Sequence, residues 1–435
     1  MELKDSQLPD DWQLSRIAEK FAFTNKPRDI RVDDYATIPF VPMDLLPTGR
    51  LFFSDFALKS PKDISSGTYF EDGDLLLSKI TPCFENGKQG IATSVPGGFG
   101  IATTEVIPIK AIDSVSYLPF LALYLLHADV RNQLAGKMEG ATGRQRLAKS
   151  VLEEWTMPFP PLPEQRAIAA VLSKIQAAAE LQEKIVATLK QLKAATMAKL
   201  FREGLRGEPA RSETRFGQVP QEWEIELLTE HAYVQTGVAK GRKIDNSSAI
   251  ELPYLRVANV QDGYLDLSEI KTIRLRETER ERYSLQVDDV LLTEGGDFDK
   301  LGRGYLWKGQ IKNCVHQNHI FAVRTDRKTL LPEFFVYLVQ SPYGKAYFLS
   351  VAHKTTNLAC INSHKLKAFP ILLPSLSEQR KIAAILGGID ERIGQETNRL
   401  TAFKHLFSSM LHLLITGQLR VKNLIKEMAP QSPTA

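Results

Sequence analysis

Leu162-Pro163-Glu164-Gln165-Arg166-Ala167-Ile168-Ala169-Ala170-Val171-Leu172 is followed much later by Leu376-Ser377-Glu378-Gln379-Arg380-Lys381-Ile382-Ala383-Ala384-Ile385-Leu386. The offset is 378 − 164 = 214 residues, and seven of the ten positions starting at each Glu are identical. Chance does not give that density, so the chain is a tandem duplication. Each copy opens a long helix. Ile168, Val171, Leu172, Ile175, Ile185, Leu192 and Leu200 recur at the 3.5-residue spacing of a coiled-coil seam, as do Ile382, Ile385, Leu386, Ile389, Ile393 and Leu406 in the second copy. Two polar residues, Gln182 and Glu396, fall on the same seams. Ser375 with Glu378 fits a capping box, and Pro163 suits a first helical turn. Helices of this length carrying one apolar stripe need a partner, and each is the obvious partner of the other.

The repeat extends outward from the helices. Leu8-Pro9-Asp10-Asp11-Trp12 pairs with Val219-Pro220-Gln221-Glu222-Trp223, and Gly73-Asp74-Leu75-Leu76-Leu77-Ser78 with Asp288-Asp289-Val290-Leu291-Leu292-Thr293. Each half is therefore a globular block followed by a long helix. The expected boundaries are 1–160 and 206–374 for the blocks, the latter including a charged linker. Helices are expected over 161–205 and 375–420, with a tail at 421–435. Short apolar runs bounded by Gly, Pro and Asp (Leu75–Leu77, Ile101–Ile109, Val290–Thr293, Ile320–Val323) read as strands, and Leu118–Leu134 and Leu331–Leu349 as helices. The fold class is α+β: two globular mixed α/β domains, joined by two long antiparallel coiled-coil helices in an internal repeat with pseudo-two-fold symmetry.

Composition narrows the function. Fifty-five basic and 51 acidic residues give a net charge of +4, too mild to name a nucleic-acid partner, although a basic face can hide inside such a total. Cys83, Cys314 and Cys360 lack C-x-x-C spacing, and no apolar run is long enough for a membrane span; a cytoplasmic protein is expected. No phosphate loop, nucleophile elbow or Asn/Asp-Pro-Pro-aromatic methyltransferase motif is visible, so no catalytic residue is expected. Gly97-Gly98-Phe99-Gly100 reads as a turn between strands. Cys314, His316 and His319 are only a fragment of a zinc pattern, and no metal site is expected.

Polar loops say more. Lys88-Gln89, Arg144-Gln145-Arg146, Lys240 with Arg242-Lys243, His316-Gln317-Asn318, and Asn357 with Asn362 carry the side chains that hold phosphates or read base edges: Arg for guanine, Asn or Gln for adenine. Any one could equally be an ordinary solvated loop; their presence in both halves raises the collective case for nucleic acid. The triplets Glu164-Gln165-Arg166 and Glu378-Gln379-Arg380 are candidates for docking a protein partner, with simple N-terminal capping as the plain alternative.

Two unlike blocks, each followed by a Pro-Leu-Pro-Glu-Gln-Arg-type helix, resemble the specificity subunit of a type I restriction-modification system (the HsdS family). The likeness covers nearly the whole chain. It rests on Pro160–Arg166, Leu376–Arg380, Thr142-Gly143-Arg144-Gln145-Arg146-Leu147 and Pro253–Val260. Ser377 replaces Pro163, and Asn357 replaces Gly143. The resemblance implies two target-recognition domains, each reading one half of a split, asymmetric site in double-stranded DNA, on helices that act as a ruler and dock two modification (methyltransferase) subunits. It also implies a subunit that catalyses nothing and holds no cofactor. S-adenosylmethionine, ATP and Mg would sit on partner subunits, among them restriction (translocase and nuclease) subunits. A stand-alone DNA methyltransferase and a protein-binding coiled-coil scaffold are the alternatives.

Overall fold

The computed structural model describes residues 8–141, 143–207, 211–241, 249–296, 301–354 and 359–421. It divides into two compact units, Met1–Lys184 with Thr397–Ala435, and Ile185–Glu396. Both boundaries fall inside long helices, so each unit holds one globular block and half of each helix. No helix among the described residues is long and apolar enough to cross a membrane.

In the first unit, a five-stranded sheet runs in the order Phe21–Phe23, Val106–Ala111, Leu75–Ser78, Gln89–Ala92, Phe52–Phe53. A four-stranded sheet is built from Ala57–Lys59, Ile38–Val41, Phe99–Ala102 and Thr68–Glu71. Leu75, Leu76 and Leu77 are fully buried, as expected of a central strand covered on both faces. The second unit repeats the plan with Ala232–Thr236, Ile320–Thr325, Val290–Thr293 and Gly304–Leu306 in one sheet. Register is kept as well as order. Ile109 pairs with Phe23 and Ile107 with Leu77; at the same offsets, Val323 pairs with Val234 and Phe321 with Leu292.

Helix α1 (Leu118–Leu126) and its second-unit counterpart α3 (Pro332–Gln340) are buried almost all round and cover these sheets. The helices expected over Leu118–Leu134 and Leu331–Leu349 are each two. His127 is extended between α1 and Ala128–Ala135. Ser341 breaks the second run, accepting the Gly344 N–H at 3.2 Å ahead of Pro342, which has no N–H to continue a helix. The apolar run Ile101–Ile109 is likewise two strands, in two different sheets, and Arg211–Thr214 of the expected linker forms a hairpin with Gly217–Pro220. Gly97 and Gly98, at φ of 77° and 78°, make the expected turn.

The long helices are α2 (Leu162–Glu203) and α4 (Leu376–Ile415). In the first unit, Ile168, Ala169 and Leu172 share an apolar core with Leu411, Leu414 and Ile415, while Glu183 pairs with Lys404 at 2.6 Å. In the second, Met197, Leu200 and Phe201 share a core with Ile382, Ala383 and Leu386, while Lys193 pairs with Asp390 at 2.7 Å. Residue numbers rise on one helix as they fall on the other, so the segments run antiparallel within each unit. The two polar positions expected on the seams are buried, and several of the apolar ones are not. Gln182 and Glu396 are buried, whereas Leu181, Ile185, Leu192, Ile385 and Leu406 are exposed.

Candidate nucleic-acid interface

The loop carrying Arg144 is a hairpin tip. Glu139 and Arg146 exchange backbone hydrogen bonds at 3.0 and 2.8 Å, and Arg146 also bridges to Ile80. The tip needs glycine at Gly140, where φ is 131° and a Cβ would lie 2.8 Å from the Arg144 carbonyl. Arg144 stands exposed at this tip, its guanidinium without a partner among the described residues. Arg146 is already engaged, its guanidinium bonding both oxygens of Glu105 at 2.7–3.2 Å. That hydrogen bond, more than simple charge, holds Glu105 below the usual carboxylate range. Gln145 is half-buried.

The second unit repeats this hairpin. His353–Lys354 pairs with Ala359–Cys360, which pairs in turn with Gly295–Gly296 at the place of Ile80. Asn357 lies outside the described residues. Asn362 caps the short helix Ser363–Lys367, its side chain accepting the Lys365 N–H at 2.9 Å, a local structural role.

Two other candidate segments come together in this unit. Val238 donates its N–H to the His316 carbonyl at 2.8 Å and accepts from Asn318 at 3.0 Å. Leu255 pairs with His316, and Gln317 accepts the Val257 N–H at 3.3 Å. The loop bearing Lys240, the Pro253–Val260 stretch and Gln317-Asn318 therefore share one edge. Lys240 is exposed there, while Arg242 and Lys243 lie outside the described residues.

Several candidates are interior. Gln89 is 2% exposed, donating to the Ala122 carbonyl at 2.6 Å and accepting from buried Arg131 at 2.7 Å, so it knits the core and cannot face DNA. Lys88 is half-buried and donates to the Met43 carbonyl at 2.5 Å. His316 is fully buried, which pushes its pKa down to about 4, and it stays neutral rather than contacting phosphate. Cys314 is buried with its thiol pushed up to about 12, while His319 is exposed against Glu294, so these three do not gather as ligands. Among the described residues, the group with metal-ligand spacing is Glu226, Glu230 and His231. There the imidazole is spent on Glu226 at 2.5 Å and Thr329 at 2.9 Å.

The Glu-Gln-Arg triplets divide their roles. Gln165 is fully buried: it accepts the Tyr117 N–H at 2.8 Å and donates to the Pro160 carbonyl at 2.9 Å. Gln379 repeats this with Leu331 at 2.9 Å and Pro374 at 3.0 Å. These glutamines pin each long helix to the start of α1 or α3 and are not docking groups. Glu164 accepts Trp12 Nε1 at 3.0 Å and the Arg420 guanidinium at 2.6 and 2.5 Å, an ion-pair clasp that sequence reading misses. Its signal is the Leu-Arg pair after each helix, Leu205-Arg206 and Leu419-Arg420. Ser375 accepts the Glu378 N–H at 3.3 Å, the capping expected there. Arg166, lying 4.9 Å from the Tyr117 ring, and Arg380 are the exposed members of the triplets.

The family described as the type I restriction modification DNA specificity domain matches residues 9–191 and 220–404. The specificity subunit of the EcoEI type I restriction enzyme of Escherichia coli is 34% identical over 40% of this chain, but that match spans only 29% of the E. coli protein. The specificity subunit of the MjaVIII enzyme of Methanocaldococcus jannaschii is 25% identical, with 97% of this chain and 96% of that protein covered. In fold, the chain is similar to the crystal structure of a type I restriction-modification S subunit from M. genitalium, with a TM-score of 0.55 at 14% identity, covering 95% of this chain and 98% of that one.

Proposed function

This chain belongs to the family of the type I restriction modification DNA specificity domain, and on that premise we propose that it is the sequence-reading subunit of a type I restriction-modification complex. The observation that carries the proposal is a frame repeated in register with different chemistry on its loops. The first unit offers Arg144 and the second Lys240, Gln317 and Asn318, all on loops outside the central strands, whose pairings repeat residue for residue between the units. Such an arrangement suits two unlike half-sites held by one scaffold. Each unit reads one half of an asymmetric duplex site, and the two long helices set the spacer between the halves.

The chain contributes recognition and leaves chemistry to its partners. Modification subunits carrying S-adenosylmethionine dock on the long helices, whose exposed Leu181, Leu192, Ile385 and Leu406 offer apolar contact outside the packed seams. Restriction subunits, with ATP and Mg, join for cleavage. The assembly works on DNA in the cytoplasm.

The test is duplex binding by the chain assembled with its modification subunits, titrated at 50 and 200 mM salt. Binding should weaken steeply with salt, as phosphate contacts require. Replacing Arg144 by Ala should cost about 1–3 kcal/mol if it reads a base edge, with relaxed specificity at one position of one half-site. An assembly whose DNA binding is absent or indifferent to salt would overturn the proposal.

A further inference from the structure

The two units close the same corner in different ways. In the first, the chain leaves α4 through Gly417, at φ 73°, and Gln418-Leu419 brings Arg420 back to the start of α2. The guanidinium takes both oxygens of Glu164 and, at 2.7 Å, Asp11, with its carbon 5.7 Å from the Trp12 ring. In the second, the chain leaves α2 through Gly204, at φ 66°, and reaches Leu205-Arg206 with one residue fewer. The shorter return changes what the carboxylate receives. Glu378 accepts the backbone N–H of Leu205 at 3.0 Å instead of a guanidinium. Arg206 is left 75% exposed, no nearer than 3.8 Å to Glu222, the residue that stands where Asp11 stands in the first unit. The space that Arg420 fills in one copy is a pocket of about 280 Å³ in the other, lined by Trp223, Glu378, Glu222, Glu203 and Pro220, with Arg206 also on its wall.

We propose that this pocket receives an arginine side chain from a partner protein. The chain itself shows the chemistry: the equivalent Trp, Glu and acidic residue already hold a guanidinium in the first unit. A planar guanidinium can lie on an indole face while its edge meets carboxylates, which an ammonium cannot do at once. Glu203 supplies rim charge only, since it is paired with Arg202 at 2.6 Å and Arg211 at 3.1 Å. Arg206 stays at the wall of the pocket, 3.8 Å from Glu222 and 75% exposed, while Leu205 rather than a guanidinium meets Glu378. The source of the arginine rests on the assembly proposed above; the pocket's chemistry does not.

The experiment follows the Trp223 indole N–H of the full chain by NMR, assigned with Trp223→Phe, during titration with N-acetyl-argininamide and N-acetyl-lysinamide. The arginine amide should give a saturable shift, and the lysine amide one at least about fivefold weaker. Glu378→Gln should weaken the arginine response. Inserting Gln between Gly204 and Leu205, which copies the return of the first unit, should let Arg206 close the pocket and abolish it. Equal responses to both amides, or an unaltered response in both variants, overturn the pocket assignment. In the chain assembled with modification subunits the response should disappear. A pocket still open there overturns the partner source and leaves the chemistry standing.

Discussion

Asp74 and Asp289 occupy equivalent places in the two units, both shut away from water, and differ in what meets them. Asp289 is held by Arg324 through paired hydrogen bonds of 2.8 and 2.9 Å. The first unit has Lys110 where Arg324 stands, and that ammonium reaches Glu71 at 3.0 Å instead. Asp74 has no guanidinium against it, only weaker support such as the Glu71 N–H at 2.8 Å, and burial pushes its pKa up to about 6. A carboxyl whose folded pKa lies above its unfolded value binds its proton more tightly when folded. Its favourable contribution is therefore full below about pH 4 and lost as pH rises through about 6. Each tenfold change in proton affinity is worth about 1.4 kcal/mol, so keeping that charge buried costs roughly 3 kcal/mol above neutrality. Asp74→Asn should accordingly raise the urea midpoint at pH 8 and leave it nearly unchanged at pH 4. Asp289→Asn, which strips a buried pair, should lower it at pH 8. A gain from Asp74→Asn that is the same at both pH values would refute the burial argument.

At the scale of elements, the joint between each long helix and its block is one buried glutamine. Gln165 and Gln379 satisfy the same three backbone groups, offset by the repeat: the N–H of Tyr117 or Leu331, the carbonyl of Pro160 or Pro374, and that of Val115 at 3.4 Å or Thr329 at 2.9 Å. Cutting either glutamine to Ala strands buried donors and acceptors, at about 1–3 kcal/mol for each group left unpaired. Each single variant should open its own unit to limited proteolysis at the start of α1 or α3 while the other unit stays resistant. Equal cleavage in both units, or in neither, would show that the glutamines do not carry the joint. These residues also mark the limit of sequence reading. The 3.5-residue period that exposes the helices puts Gln165 on the same stripe as Ile168 and Leu172, but its polarity argues for the surface. Sequence misplaces buried Gln89 for the same reason: its role depends on Arg131, distant in the chain and of a type ordinarily found at the surface. Conversely, apolar Ile185 and Leu192 fit the seam by spacing and lie outside it, because a run of aliphatic positions wide enough to fit two stripes does not say which one is packed.

For the whole molecule, the duplication is legible in the sequence, because similar offsets recur in motifs at the beginning, middle and end of both halves, and strand pairing keeps them in register. The side chains proposed to read bases are far less so, since an Arg or Asn in a loop looks alike whether it caps a helix, as Asn362 does, or stands exposed at a hairpin tip, as Arg144 does. The duplication also fixes how a spacer function can be tested. Four residues inserted near Met197–Arg202 would fall among Met197, Leu200 and Phe201, which share a core with Ile382 and Leu386, and would slide part of that set about 6 Å along the helix away from its partners. The division between the units offers a cleaner position: four residues after Lys184 in α2 together with four after Glu396 in α4. Each helix then lengthens by about 6 Å and gains about one turn, so the seams on either side keep nearly the same facing. At 3.4 Å per base pair, the spacer of the methylated site should grow by about two base pairs. Both half-site sequences should be unchanged, because Arg144 and the Gln317-Asn318 edge lie far along the chain from the insertions. Sequencing the methylated sites of a strain carrying the variant reads both quantities at once. An active variant that keeps the original spacer would show that the helices do not measure the site, and altered half-site bases would show that the units do not read independently of them.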